Sequence, residues 1–208
     1  MLGEGRRSFS WPAAFMAMVT LILVLGACGG SKEPPVAAET TAGSVSTERG
    51  SDPIVEDVVA LREASDNEQA TQALRDLHTL LRRAFNQGAV KGSAILRTEA
   101  PPLVETFAKA ASDVRAKVLG LRLQTESAEV FRAMEVETLD GEVRIYEAFA
   151  AALEKGDSAW AASDRLRTQE QALIQELRTR FQPMINRLPR KDRETLVSAM
   201  AEVFGSGS

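Results

Sequence analysis

The sequence predicts an all-α fold, an up-and-down bundle of about four to five helices that follows a flexible linker. Three observations predict it. Apolar residues recur at three- and four-residue intervals over long stretches, the period of a helix with one buried face. No stretch keeps the strict alternation of a strand, and Val and Ile are sparse. Gly, Pro, Asp and Ser stand where the apolar stripes break, as caps and turns require.

The first helix is expected from Pro53 to Ala64. Asp52 suits the cap and Pro53 the first helical position, where its missing N–H was unpaired anyway. A second follows the capping-box pattern Ser65-Asp66-Asn67-Glu68 and runs to about Asn86, with Ala70, Leu74, Leu77, Leu81 and Phe85 on one face. Gly88 to Thr98 reads as a loop because it contains Gly88 and Gly92. Pro101-Pro102 then opens a third helix striped by Leu103, Phe107, Ala110, Val114, Val118 and Leu121. A fourth spans about Thr125 to Lys155, carrying Ala128, Phe131, Leu139, Tyr146, Phe149 and Leu153, with an interruption expected at Asp140-Gly141. Gly156 suits the left-handed residue that ends a helix, and Asp157 the cap of the next. The fifth holds Trp160, Leu166, Leu173, Leu177, Phe181, Met184 and Leu188, and Pro189 stops it. A short helix from Lys191 to Phe204 completes the bundle domain, 53–204, before a loose tail at 205–208.

Charge patterning orders two of these elements. Residues 126–157 hold nine acids and three bases, and residues 158–193 hold four acids and eight bases. An acidic helix thus folds back on a basic one through the Gly156-Asp157 turn. In that hairpin, positions whose numbers add to about 313 are expected to lie level: Trp160 near Leu153, Phe181 near Phe131 or Arg132, Arg178 near Glu135. The alternative is that the basic helix receives an acidic partner.

Upstream of the domain the chain changes character. Arg6 and Arg7 precede an apolar run from Trp11 to Leu25. As a helix that run spans roughly 22 Å, short of a ~30 Å hydrocarbon core, which suits a signal segment better than a permanent span. Leu25-Gly26-Ala27-Cys28 comes directly after it. This resembles the lipobox of bacterial lipoprotein signals: an aliphatic residue, two small residues, then cysteine. The resemblance covers residues 1–28 alone. It implies cleavage of a leader, 1–27, and a diacylglyceryl group on the Cys28 thiol. It also implies placement in the cell envelope, at the outer membrane facing the periplasm in a Gram-negative cell, since Gly29 is not Asp. Arg6-Arg7-Ser8-Phe9 also resembles part of a twin-arginine signal, with Ser10 where an aliphatic residue belongs; a plain basic leader is the simpler reading. Cys28 is the only cysteine, so no intramolecular disulfide forms.

Residues 28–52 then form the lipidated cysteine and a linker, rich in small and polar side chains with Pro34-Pro35. Too little apolar surface is present to offset chain entropy. The 24 residues after Cys28 have a mean span of ~27 Å as a flexible coil and a stretched reach of ~80 Å.

The net charge is -4, and a chain cut before Cys28 carries -5, because Glu4, Arg6 and Arg7 leave with the leader. That mild acidity argues against nucleic acid and against adhesion to anionic lipid by overall charge. A single histidine, His78, sits on or beside the second stripe, where a flanking residue bonded to a neighbour is the plain reading. No second His stands ready as a co-ligand, and no Glu-x-x-His pair, Cys-x-x-Cys-His motif, nucleophile elbow or phosphate loop occurs. Glu135 and Glu142, seven apart, approach the apolar seam and are read as structural. Met134, Met184 and Met200 are scattered packing residues. Leu188-Pro189-Arg190-Lys191-Asp192-Arg193-Glu194 is similar to a helix start in periplasmic stress and metal-resistance proteins, a pattern that also opens unrelated helices.

The expected function is a lipid-anchored, non-catalytic interaction module with an envelope protein partner. No enzyme activity, cofactor, metal or nucleic acid is expected. The alternative is a periplasmic binder of small ligands or metal ions, with a pocket near His78 or the acidic stretch.

Overall fold

The computed structural model describes residues 52–205. Within them run six helices and no strand: α1 (Pro53–Ser65), α2 (Glu68–Asn86), α3 (Ala89–Gly120), α4 (Glu126–Glu154), α5 (Ala159–Arg187) and α6 (Arg190–Gly205). The all-α bundle expected from the stripes is therefore the fold. The leader, Cys28, the linker up to Ser51 and residues 206–208 lie outside the described residues. Among the described residues, no helix is long and apolar enough to cross a membrane.

Helix starts follow local chemistry. Asp52 accepts from the Ile54 N–H at 3.0 Å, with Pro53 behind it as expected. Thr125 caps α4 through Ala128, and Ser158 caps α5 through Ala161. Two expected caps are displaced. Asn67, not Ser65, caps α2, accepting from the Ala70 N–H at 3.0 Å. Ser65 is the last residue of α1 and turns inward. Asp157 leaves the cap of α5 to Ser158 and pairs with Arg165.

Helices α2, α3, α4 and α5 pack in chain order, each against the next, while α1 and α6 pair, α1 lying against α3 and α4 and α6 against α4. Asn67 Nδ2 donates to the Ala110 carbonyl halfway along α3, and α2 ends beside the start of α3. Helices α1 and α2 therefore follow one another along the 32-residue α3, which is about 48 Å long. Phe107, Phe131, Phe149 and Phe181 are almost wholly buried at the centre. Each such ring contributes on the order of 2–3 kcal/mol through burial. Phe107 meets Tyr146 edge to face at 5.5 Å, joining α3 to α4.

Two expected breaks are absent. The stretch Gly88 to Thr98, expected as a loop, is the first three turns of α3 from Ala89 onward. Gly88, at φ +80°, makes the whole turn by itself. Gly92 has a packing reason: a Cβ there would fall on the Ala84 carbonyl, so α2 and α3 approach at backbone contact. Close packing outweighs the ~1 kcal/mol by which Gly disfavours a helix. Pro101 and Pro102 lie inside α3 rather than opening it. The carbonyls they leave without donors belong to Arg97 and Thr98, both exposed, where water can bond them. Likewise α4 passes Asp140-Gly141 unbroken. A Cβ on Gly141 would stand 2.5 Å from a Leu173 methyl, so this glycine admits a leucine from α5.

The acidic and basic helices do lie side by side, in a register shifted from the expected one. Arg180 pairs with Glu137 at 2.8 Å, and Tyr146 Oη donates to Glu170 at 3.1 Å. Level positions here add to 316 or 317. Glu135 turns to α1 instead of meeting Arg178, and Trp160 stacks on Phe85.

Candidate functional site

The sequence-predicted site residues Leu25, Gly26, Ala27 and Cys28 lie outside the described residues. Three other features of the domain carry chemical potential.

The first is a cleft of about 720 Å³ where α3, α4 and α5 meet. Its floor is apolar, from Ala108, Ala111, Leu139, Val143, Leu173 and Leu177. Small residues on α3, Ala108, Ala111 and Ser112, line this space. The rim alternates in sign: Arg115 pairs with Asp140 at 3.0 Å, Arg180 with Glu137, and Arg144 donates to the Asp140 carbonyl. Three guanidinium groups face Glu137, Asp140 and Glu176, so the lining is balanced in charge. Such a cleft can hold a small amphipathic molecule. The ligand-binding alternative expects a pocket near the acidic stretch or near His78. The cleft lies on the acidic stretch, whereas His78 is exposed on α2 and absent from the lining. Among the described residues, no three His, Cys, Asp or Glu side chains gather as a metal site.

The second feature is a pair of buried carboxyls. Asp57, on α1, accepts from the backbone N–H groups of Gln124 and Thr125 and from the Thr125 hydroxyl at 2.7 Å. It is 3% exposed and ties the α3–α4 junction to α1. Glu135, on α4, is also buried and touches Ser65 of α1, while its Oε2 has no hydrogen-bond partner. The Ser65 hydroxyl sits between the Leu61 carbonyl at 2.6 Å and Glu135 Oε1. One hydroxyl proton serves one acceptor. All three oxygens are satisfied when Ser65 donates to Leu61 and Glu135 carries its own proton to Ser65. Burial accordingly pushes the Glu135 carboxyl up to about 7; Ser65 opposes that shift only when its hydroxyl donates to the ionised form instead of to Leu61. Glu135 reaches the apolar seam, as its spacing suggests. Its companion Glu142 is half-buried.

The third feature is the end of the bundle where four helix termini converge. Arg97 donates to the Gly156 carbonyl at 2.9 Å, and Ser93 accepts from the Ala159 N–H at 2.9 Å. These bonds fix the α4–α5 turn onto the start of α3. Phe85, near the end of α2, stacks on Trp160, near the start of α5, with centroids 3.9 Å apart and planes 12° from parallel. Both rings remain exposed, at 43% and 38%, and Val90 beside them is 85% exposed. Helical spacing assigned Phe85 and Trp160 to buried stripes. They lie where those stripes run past the end of the core. A clue was available in the positions of both rings, within three residues of Gly88 or of the Gly156-Asp157 turn.

Comparison with protein-family models, curated proteins and solved structures finds no match to this chain.

Proposed function

We propose that this chain is a membrane-anchored lipoprotein of the bacterial cell envelope, acylated on Cys28, whose helical domain is a non-catalytic interaction module. The observation that carries this reading is Leu25-Gly26-Ala27-Cys28 placed directly after a basic start and a short apolar run. Two or more acyl chains would hold the protein firmly, since each buried methylene contributes ~0.8 kcal/mol. The polar linker up to Asp52 would let the domain stand clear of the bilayer. An envelope protein partner would meet the faces of α1, α2 and α6 left uncovered by the α4–α5 hairpin.

Mass spectrometry of the N-terminal peptide from the native host tests the anchor. A diacylated or triacylated peptide beginning at Cys28 is expected, and Cys28→Ser is expected to leave an unprocessed or soluble product. An unmodified N-terminal peptide, or one that keeps its leader, overturns the proposal.

A second reading is favoured by the α3–α4–α5 cleft, whose apolar floor and alternating rim suit a small amphipathic ligand. A ligand present at 100 times its dissociation constant would raise stability by ~2.7 kcal/mol, visible as a shift in Tm. A flat response across a panel of lysolipids, bile-acid-like steroids and metal ions removes this reading.

A further inference from the structure

At the bundle end formed by Phe85, Val90 and Trp160 bases outnumber acids: Arg82, Arg83, Lys91, Arg97, Lys155 and Arg165 stand against Glu99, Glu154 and Asp157, of which Glu99 pairs with Arg83 and Asp157 with Arg165. From Leu77 to Thr98 the chain holds Arg82, Arg83, Lys91 and Arg97 and no acid. Residues 52–208 as a whole carry 21 bases and 25 acids, so this end is a basic cap on an acidic domain. Arg83 is engaged by Glu99, and Arg97 by the carbonyls of the α4–α5 turn. Arg82, Lys91 and Lys155 are exposed and make no ion pair among the described residues. Three such cations, against the exposed acid Glu154 beside Lys155, therefore flank three exposed apolar side chains.

Shape decides what such a surface fits. The apolar atoms sit at helix ends, on the last turn of α2 and the first turns of α3 and α5, with Val90 85% exposed. An interfacial aromatic ring with basic residues beside it is the arrangement that enters the headgroup layer of a bilayer, where indole is favoured and cations meet lipid phosphates. An aliphatic tip such as Val90 adds buried area at the same depth. We infer that this end of the bundle, through Phe85, Val90 and Trp160 with Arg82, Lys91 and Lys155, docks on an anionic phospholipid surface. The contact is separate from lipid on Cys28 and does not rest on it. The two are compatible: α1 begins at the opposite end of the bundle, beside Gln124 and Thr125, and the linker's stretched reach of ~80 Å exceeds the ~48 Å of α3.

Trp160 reports the contact directly. Trp11 and Trp160 are the only tryptophans, so Trp11→Phe in the full chain leaves Trp160 as the single indole. Its emission is followed with vesicles of phosphatidylglycerol or phosphatidylcholine whose acyl chains carry bromine, a short-range quencher. Strong quenching is expected in phosphatidylglycerol, little in phosphatidylcholine, with a decline as salt is raised. The triple reversal Arg82→Glu, Lys91→Glu, Lys155→Glu is expected to lower the docked-to-free ratio of this end on the order of 100-fold or more. Val90→Asp, on a fully solvated position, lowers it without touching the cations. Every variant retains the leader, so any difference between variants arises at the bundle end.

Five results overturn the inference. Trp160 stays unquenched in phosphatidylglycerol while the helical circular dichroism is intact. Quenching is equal in both lipids, or indifferent to charge reversal. Trp160 becomes shielded from aqueous iodide as protein concentration rises without lipid, which assigns the surface to a second copy. Polyglutamate shields it as well as phosphatidylglycerol does, which assigns it to an acidic protein.

Discussion

Asp57 and Glu135 are both buried acids at the contact of α1 with the long helices, yet their surroundings differ in kind. Asp57 receives two backbone N–H groups and a hydroxyl, so its charge is matched by donors that have no other use. Glu135 meets one serine whose proton is already committed to Leu61, and one of its oxygens meets nothing. The first carboxyl is a clamp between α1 and the start of α4. The second fits best as a neutral acid. Burial alone does not decide what a buried acid does; the supply of donors does.

The contrast can be broken most severely at Asp57. Asp57→Ala is expected to lower the unfolding free energy by about 4 kcal/mol, because it strands the Gln124 and Thr125 amides. Urea denaturation at pH 7 measures it, and a loss below about 1 kcal/mol would show that water replaces the clamp. Next comes the pH dependence of Glu135. Its carboxyl ionises near 4.5 when unfolded and at about 7 when folded, so the folded chain holds the extra proton between those values. The stabilisation is complete below about pH 4.5 and is lost as the pH rises through 7, opposite in sign to a salt-bridged acid. The difference between wild type and Glu135→Gln should trace a fall on the order of 3 kcal/mol across that window. A flat difference curve would sink the neutral-acid reading.

Smaller effects sharpen the picture. Ser65→Ala removes the acceptor for the carboxyl proton and should cost about 1–2 kcal/mol at pH 5, read from thermal unfolding. Arg180→Ala breaks the pair with Glu137 on an exposed face and should cost under ~1 kcal/mol. If Arg180→Ala cost more than Ser65→Ala, the acidic–basic hairpin would be held by charge to a degree its exposure does not suggest.

Much of the helical order was legible because the signals are local. A side-chain acceptor before Pro53, a threonine before Glu126 and a positive-φ glycine at 156 each act within one turn of chain. Gly92 and Gly141 were misread for the opposite reason. Glycine signals a break when judged alone, and here each makes room for a helix distant in sequence. The same limit applies to Ser65, which looked like a cap and faces Glu135 seventy residues away. His78, Phe85 and Trp160 illustrate a further gap. A stripe of period 3.6 gives the face of a helix, and it does not say where along the axis the neighbours stop. The convergence of four termini that leaves Phe85 and Trp160 exposed depends on the relative lengths and stagger of α2, α3, α4 and α5. That stagger follows from packing contacts between residues far apart in the chain.

The position of Asp57 also bears on how the domain would withstand tension. Any pull delivered along the segment before Asp52 reaches α1 first, and only five residues later meets a carboxylate gripped by the start of α4. Load would be caught there before it reached Ser65 or the contact between Arg62 and the Val203 carbonyl that fastens α6. That grip would act together with the buried Ile54, Val58 and Leu61 of α1, so the first turns of α1 would share the load with the core.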